Sequence, residues 1–257
     1  MSESNSYTYK QGHHRTVTRN HARRTAEVEG AFILPHLKSN FTILDIGCGP
    51  GSITTGFAKY VSEGTVTGVD ITDEVLEQAR EYVSSQDPKP QNVTFELGNV
   101  LEGLKYGDAS FDVVFCNQVL LHIPEPVKAL KEMRRVLKPG GFFACRESDM
   151  PFRWYPYPPG IQLSDKGGSM MHVFAREAGF EPKKMAKGAG AEVHAGEEEA
   201  RFFGLHMLGR VEGSTEQYKA LGATDQEIDL MKRDLKAWAE DVDAWFAILQ
   251  AELICWK

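Results

Sequence analysis

The feature that most constrains the fold is a regular alternation of short apolar segments with longer amphipathic ones between about residues 25 and 179. The short segments have the composition of buried β-strands, and the longer ones repeat apolar residues at helical spacings. Strands connected through helices form right-handed crossovers, so the pattern predicts an α/β fold with a parallel sheet covered on both faces. The predicted strands are Phe41–Ile46, Thr65–Asp70, Val93–Leu97, Phe111–Leu120 and Gly141–Arg146, and the predicted helices are Ser52–Val61, Thr72–Gln86 and Pro126–Leu137.

The first predicted strand runs into a glycine-rich turn, Gly47-Cys48-Gly49-Pro50-Gly51, which precedes a helix. Glycine permits positive φ and lets backbone approach a ligand closely. A dinucleotide-binding loop has the spacing G-x-G-x-x-G and places a pyrophosphate at the helix N-terminus. Here the spacing is G-x-G-x-G, and the carboxylate of Asp45 lies at the strand end. The charge disfavours a pyrophosphate and favours a ligand with a cationic or hydrogen-bond-donating group.

Polar residues also follow the next three strands, where ligands of such sheets bind. Asp70 ends the second strand, and a carboxylate there can accept two hydrogen bonds from ribose hydroxyls. The neighbouring Ile71 could cover one face of a purine. Asn99 follows the third strand and could read an adenine edge, and the segment Asn117–His122 follows the fourth.

As an ordered set, the motifs ILDIGCGPG, VTGVD, ELGNV, FDVVFCNQVLLHI and VLKPGGFF resemble those of class I S-adenosylmethionine-dependent methyltransferases. The branch that they resemble most includes the methyltransferases of ubiquinone and menaquinone biosynthesis. The motifs span about residues 43–146. The resemblance implies a Rossmann-like, doubly wound, mostly parallel seven-stranded sheet with helices on both faces and a helical lid insertion. It also implies the cofactor S-adenosyl-L-methionine, with S-adenosyl-L-homocysteine as product.

The resemblance further implies a role for each motif residue. The glycine loop and Asp45 border the methionine moiety, Asp70 binds the ribose, and the third strand end meets the adenine edge. Two departures from the family pattern are Asn99, where Asp is usual, and the segment 103–108, where Leu-Pro-Phe is common. The implied cofactor-binding residues are Asp45, Gly47, Cys48, Gly49, Asp70, Ile71, Asn99, Val100, Asn117 and Gln118.

Methyl transfer to a protonated nucleophile benefits from a general base. His122 follows the fourth strand and is the first candidate, although a packing role is the competing interpretation. His14, in a polar and His-rich N-terminal segment, is the second candidate, and Asp149 after the fifth strand is the third. No metal site is predicted, because the cysteines form no C-x-x-C pair and the histidines lack acidic partners at metal-ligand spacing.

We expect residues 1–257 to form a single methyltransferase domain with specialised segments. Aromatic residues after the fifth strand could stack on a planar acceptor, so we expect a small apolar or aromatic substrate. Thr224 and Glu227 have the spacing of a capping box at the start of a long helix, Thr224–Ala244. The expected segments are an N-terminal cap (1–37), a cofactor-binding core (41–148), an aromatic substrate loop (149–168), a helical lid or cover (197–244) and a closing strand (246–256).

The chain has 29 Lys and Arg against 36 Asp and Glu, a formal net charge of −7, which disfavours a nucleic-acid surface. No apolar run approaches a membrane span, and the start of the chain lacks the pattern of a signal peptide. The four cysteines are expected to be buried, reduced thiols. We therefore predict a cytoplasmic protein that acts on a small-molecule methyl acceptor, without nucleic acid or membrane; the oligomeric state stays open.

Two other functions are compatible with these motifs. The first is a non-catalytic S-adenosylmethionine-binding regulator, because a fold and its pocket do not by themselves establish catalysis. The second is a nicotinamide-dependent oxidoreductase, which the glycine spacing and Asp45 make less favourable.

Overall fold

The computed structural model describes residues 23–155 and 170–257. Within them, seven strands form one sheet in the order β3-β2-β1-β4-β5-β7-β6. Most of the predicted N-terminal cap, including His14, and most of the predicted aromatic loop lie outside the described residues. The strands are β1 (Thr42–Ile46), β2 (Thr65–Asp70), β3 (Val93–Leu97), β4 (Phe111–Asn117), β5 (Leu137–Tyr155), β6 (Met185–Ala195) and β7 (Trp245–Trp256).

Eight α-helices connect or follow these strands within the described ranges, and short 3₁₀ turns occur at Leu34–His36, Ala58–Tyr60, Leu120–His122 and Pro182–Lys184. The helices are α1 (Ala26–Glu29), α2 (Ser52–Phe57), α3 (Asp73–Ser84), α4 (Pro126–Val136), α5 (Met171–Glu177), α6 (Glu197–Gly213), α7 (Thr215–Ala220) and α8 (Asp225–Ala239).

The pairs β1–β2, β1–β4, β2–β3 and β4–β5 are all parallel. The amide of Lys257 donates to the carbonyl of Gly141 (3.0 Å), and the amide of Gly140 donates to the carbonyl of Lys257 (3.3 Å). The end of β7 therefore meets the start of β5, so these two strands are antiparallel. The predicted α/β, mostly parallel seven-stranded fold is confirmed.

Two hydrophobic clusters cover opposite faces of the central strands, because alternate residues of a strand point to opposite sides. Leu44 and Phe143 pack with residues of α4 and α5 on one face. Ile43 and Phe115 pack with Ile33 and residues of α2 on the other. Both faces are buried, which explains why these strands are apolar throughout.

The described residues divide into two compact units, the larger comprising 23–152, 170–192 and 248–257 and the smaller 153–155 and 193–247. In the smaller unit α6 lies close to α8, and an added Cβ at Gly204 would come within 2.7 Å of the Cβ of Ala239. Phe203 stacks on both His194 and Phe246, whose ring centroids are 4.1 and 4.3 Å away. None of the helices within the described ranges combines the length and apolar character of a membrane span.

The structure corrects the predicted end of the long helix, which stops at Ala239 instead of Ala244. The amide of Asp243 donates to the side chain of Asp241 (2.8 Å), a local turn that competes with the helix. Val242 is 76% exposed, so counting it in the apolar repeat was wrong. The predicted capping box is confirmed, with the side chains of Thr224 and Glu227 each accepting from the other residue's amide.

Two strands also differ from the prediction. β5 continues to Tyr155, so the first part of the predicted aromatic loop is strand, consistent with the β-favouring residues Phe152, Trp154 and Tyr155. β6 was not predicted, because its sequence is rich in Ala and Gly and lacks an apolar repeat. It lies at the edge of the sheet and is mostly exposed, where burial imposes little pattern.

A buried ion pair fixes α1 to the sheet. Arg146 of β5 donates through Nη1 to Glu29 Oε2 (2.7 Å) and to the carbonyl of Val28 (3.2 Å). The two side chains are 4% and 8% exposed. Removing one partner of such a pair leaves an uncompensated buried charge.

We therefore predict that Glu29→Ala lowers the free energy of unfolding by about 3 kcal/mol. Glu27→Ala in the same helix removes an exposed pair with Lys59 (2.7 Å, side chains 42% and 64% exposed), so we expect a loss below about 1 kcal/mol. Urea denaturation of both variants makes the comparison. Equal losses would contradict the proposed anchoring role of the buried pair.

Candidate functional site

The glycine loop after β1 folds back onto β2. The amides of Gly47 and Cys48 both donate to the carbonyl of Val69 (2.7 and 3.1 Å). The loop glycines have φ values of 68°, 53° and 78° at positions 47, 49 and 51, where other residues are strained. Sequence analysis anticipated this need for glycine, and the structure gives its physical reason.

The three glycines differ in what surrounds them. A Cβ at Gly47 would lie 2.5 Å from Cγ2 of Val119, and a Cβ at Gly51 would lie 2.6 Å from the ring of Phe95. A Cβ at Gly49 would have no described atom within 4 Å. The first and third glycines therefore allow close packing within the protein, whereas the middle one borders open space that a ligand can approach.

Asp70 joins the end of β2 to this loop. Its Oδ2 accepts from the amide of Gly49 (2.9 Å), and its Oδ1 accepts from the amide of Ile71 (2.7 Å). The residue is 9% exposed. A carboxylate oxygen can accept more than one hydrogen bond, so Asp70 can hold the loop and still accept from ligand hydroxyls.

Asp45 lies beneath the loop at the end of β1 and is buried. Its Oδ2 accepts from the hydroxyl of Thr54 in α2 (2.6 Å). Burial raises the pKa of Asp45 to about 7, the Thr54 hydrogen bond opposes the rise, and the nearby charge of Asp70 adds to it. The side chain therefore has a carboxyl group that can be neutral or ionised near physiological pH.

Cys48 is also buried in the loop. An added Cβ at Gly68 would lie 2.9 Å from its Sγ, so the thiol packs against the middle of β2. The pKa of the Cys48 thiol lies well above its ordinary value. Burial is the largest cause, and the negative charges of Asp70 and Asp45 raise the pKa further. An unreactive thiol with a packing role accounts for this residue.

The predicted adenine side lies after β3. Asn99 is used locally, because its Oδ1 accepts from the amide of Leu101 (3.0 Å) and its Nδ2 donates to Glu102 (3.0 Å). Val100 is buried, and within the described part of the chain its amide has no acceptor. Ile71, after β2, is half-buried. The backbone donor of Val100 is thus available to a ligand, whereas the Asn99 side chain is already engaged.

Asn117, the last residue of β4, is 8% exposed, and neither atom of its amide has a hydrogen-bond partner among the described residues. Buried polar groups in native proteins are nearly always paired. A ligand with both donors and acceptors would satisfy this amide, which fits the predicted wall of the cofactor site.

Gln118 behaves differently from its neighbour. It has a left-handed backbone (φ 57°), its Oε1 accepts from the amide and hydroxyl of Ser148 (3.2 and 2.6 Å), and its Nε2 donates to Gln250. Gln250 in turn donates to Glu192 (2.7 Å). Both ends of the Gln118 side chain are therefore engaged by β5 and β7.

The candidate bases occupy adjacent elements at the same edge of the sheet. His122 ends the 3₁₀ turn after β4 and is half-buried, and its amide donates to the carbonyl of Val119 (3.0 Å). Asp149 lies in β5 and is half-buried. Within residues 23–155 and 170–257 no group of three His, Cys, Asp or Glu side chains has a metal-binding arrangement.

Sequence analysis missed Glu147, which is completely buried in β5. Its Oε1 accepts from the amides of Val119 and Leu120 (3.0 and 2.9 Å), whereas its Oε2 has no partner among the described residues. Burial raises its pKa to about 7 against the effect of the backbone hydrogen bonds and the charge of Arg24. The polar run Arg146-Glu147-Ser148-Asp149, which follows an apolar strand, is the feature of the sequence that points to this residue.

Comparisons with known proteins give consistent matches. Residues 37–187 match the model of a methyltransferase-domain family. The chain is 36% identical to a probable methyltransferase, ltbC, of Aspergillus luteorubrus, with 97% of each chain covered. A demethylmenaquinone methyltransferase of Staphylococcus aureus MRSA252 is 39% identical over 45% of this chain and 46% of its own. The solved structure of a SAM-dependent methyltransferase from Aquifex aeolicus has the same fold (TM-score 0.52, 15% identity, 92% and 97% covered).

The pKa of Asp45 gives a prediction about stability. The folded protein retains this proton to about pH 7, whereas the unfolded chain releases it near 3.8. The protonated carboxyl group of Asp45 therefore contributes its full stabilisation of the folded state below about pH 4. This contribution is lost as the pH rises through 7. Asp45→Asn removes this loss, so we expect the stability of the variant relative to wild type to rise by about 4 kcal/mol between pH 4 and 8.

Urea denaturation across this pH range tests the prediction. Asp112→Asn provides a control. Partial burial alone would raise the pKa of Asp112, but the hydrogen bond from Lys138 (2.8 Å) and those from Thr42 hold it below its ordinary value. Its carboxylate therefore stabilises the fold almost fully above the unfolded pKa of 3.8, and the difference in stability between this variant and wild type should stay nearly constant across the range. A constant difference between Asp45→Asn and wild type would contradict the assignment.

Proposed function

This chain belongs to the methyltransferase-domain family and is a class I S-adenosylmethionine-dependent methyltransferase, and we propose that it methylates an O, N, S or C atom of a small apolar or aromatic molecule. The observation that carries the proposed location of the cofactor is the open side of the glycine loop at Gly49. We place S-adenosylmethionine against this side, between the ends of β1, β2 and β4.

The residues at these strand ends fit the parts of the cofactor. Asp70 is a carboxylate, whose oxygens can each accept more than one hydrogen bond and so can bind ribose hydroxyls, and the amide of Val100 is a donor for the adenine edge. The Asn117 amide, which has no hydrogen-bond partner among the described residues, suits the wall near the sulfonium. Asn99 and Gln118, which are engaged within the protein, are weaker candidates for direct contact through their side chains.

The charges of the site favour a cationic ligand. Asp45 and Asp70 lie near the ends of the neighbouring strands β1 and β2, and both are buried carboxyl groups. A pyrophosphate would place further negative charge beside them, which is unfavourable in a low-dielectric environment. S-adenosylmethionine supplies a methyl group on a positively charged sulfur, which makes that methyl a good electrophile. The protein's part is to align the acceptor behind the methyl carbon and to exclude water.

A small-molecule acceptor is supported by charge and by similarity. The net charge of −7 opposes nucleic acid as the substrate. The name of the S. aureus relative gives demethylmenaquinone, a quinone, as the substrate of that protein. The match covers 45% of this chain, so we carry over only the class, a small apolar or aromatic acceptor.

We further propose that His122 serves as the general base when the acceptor loses a proton, with His14 and Asp149 as alternatives. The proposed segments of a single domain, including a helical lid or cover at 197–244, complete this hypothesis. A reducing compartment such as the cytoplasm is supported by the four cysteines, which are buried as free thiols.

Calorimetric binding of S-adenosylmethionine tests the location of the cofactor. In Gly49→Ala the added methyl group enters the proposed binding space, so we expect the Kd to rise at least about tenfold, or about 1.4 kcal/mol. Gly140→Ala is the matched control, because Gly140 also has a positive φ (80°) and no described atom near an added Cβ. It lies at the amino end of β5, away from the site, so its Kd should stay within about threefold of wild type.

Equal affinities in the two variants would contradict the placement at Gly49. Binding of NAD(H) but not S-adenosylmethionine by the wild-type protein would favour the oxidoreductase alternative.

Methyl transfer from labelled S-adenosylmethionine to quinols, phenols, amines and thiols tests the chemical step. We expect His122→Gln to lower kcat by about 10²–10⁴-fold for an acceptor that loses a proton, with little change in cofactor Kd. His172→Gln, in α5, is the control and should retain wild-type kcat. Wild-type kcat for His122→Gln at every pH from 6 to 9 would exclude this base. Cofactor binding without transfer to any acceptor would favour the regulatory alternative.

A further inference from the structure

Glu147 is a buried carboxyl group that the proposed reaction does not use. It lies in β5 one residue beyond Arg146, which is in register with Asn117 at the end of β4. Its side chain is directed to the backbone that leaves β4, where a single oxygen accepts from two consecutive amides, Val119 and Leu120. Burying a carboxyl group is costly unless its hydrogen bonds compensate, so this arrangement requires an explanation beyond packing.

The residues that Glu147 holds form the turn Gln118–His122, which we call the β4 turn. Its first residue is fixed separately, because the amide of Gln118 donates to the carbonyl of Arg146 (2.9 Å). The next two amides, of Val119 and Leu120, depend on Glu147. Buried amides without an acceptor destabilise a conformation, so removal of this carboxyl should release the middle of the turn.

The β4 turn contacts the glycine loop through Val119. An added Cβ at Gly47 would lie 2.5 Å from Cγ2 and 3.2 Å from Cγ1 of this side chain. Val119 therefore covers the loop at the residue where it leaves β1. The same turn ends in His122, whose amide donates to the carbonyl of Val119. One carboxyl group thus sets the position of a side chain on the loop and of the candidate base.

We infer that Glu147 is a positioning residue, which holds the β4 turn against the glycine loop and so shapes the S-adenosylmethionine site. This inference rests on the proposed cofactor site. Glu147 is 0% exposed and does not contact the cofactor in this role. Its action is transmitted through the two amides and Val119.

Two substitutions separate positioning from simple loss of a buried side chain. Glu147→Gln keeps an oxygen that can accept from both amides, and its new NH₂ group takes the place of Oε2, which has no described partner to lose. Glu147→Leu keeps most of the side-chain volume but removes the acceptor. Glu252→Gln is the control. Glu252 of β7 also lies next to Arg146, with its Oε1 3.5 Å from Arg146 Nε, but it makes no hydrogen bond to the β4 turn.

The first measurement is amide hydrogen exchange of the full-length protein in peptides that contain residues 118–122. We expect exchange in Glu147→Leu to be at least about tenfold faster, whereas Glu147→Gln and Glu252→Gln should stay near wild type, since the acceptor is kept. Wild-type exchange in Glu147→Leu would overturn the inference. This measurement requires no ligand, so it is independent of the proposed function.

The second measurement is the calorimetric Kd for S-adenosylmethionine. We expect a rise of about tenfold in Glu147→Leu and less than about threefold in Glu147→Gln, because only the former frees Val119 from its place over Gly47. Wild-type affinity in Glu147→Leu would limit Glu147 to a structural role and overturn the inference. If the wild-type protein itself did not bind S-adenosylmethionine, the proposed function would be contradicted. The hydrogen-exchange result would then still show whether Glu147 holds the β4 turn in place.

Discussion

The close approach of the glycine loop to the end of β2 is the interaction on which the site depends. Two loop amides donate to the carbonyl of Val69, and Asp70 takes up the amide of Gly49. The backbone is left-handed at Gly47, Gly49 and Gly51, and it is closely packed at Gly47 and Gly51, conditions that only glycine meets without strain. The loop is thereby tied to the end of β2, whereas the space next to Gly49 contains no atom of the described residues within 4 Å of an added Cβ, apart from its neighbours in the chain.

Three buried carboxyl groups surround this loop and its neighbouring turn, and each has a different set of partners. Asp70 accepts from two backbone amides, Asp45 from one hydroxyl, and Glu147 from two amides through one oxygen. Burial raises the pKa of Asp45 and of Glu147 to about 7. Their charge therefore changes with pH near neutrality, and a positively charged group bound nearby would favour the ionised forms.

Adjacent residues where β4 ends have different roles. Asn117 and Gln118 have similar amide side chains, but Asn117 is the last residue of β4, whereas Gln118 lies beyond the strand and has a left-handed backbone (φ 57°). The Gln118 amide is fully used by Ser148 and Gln250, whereas the Asn117 amide has no described partner. The sequence predicted both as cofactor-binding residues, and only their surroundings distinguish a structural amide from one that is available to a ligand.

The sequence by itself determined the parallel sheet, the glycine loop and the polar residues at the strand ends, because apolar segments, glycine spacing and strand-end position are local properties of the chain. It did not determine the extent of β5, the edge strand β6 or the end of α8. The two strands depend on their neighbours in the sheet, and the end of α8 depends on a local turn at Asp241. It also missed Glu147, whose role follows from two amides that lie 27 and 28 residues away in the chain. Hydrogen bonds between distant segments form only when the whole sheet is assembled, so the tertiary structure alone decided which buried polar groups are satisfied within the protein and which remain available to a ligand.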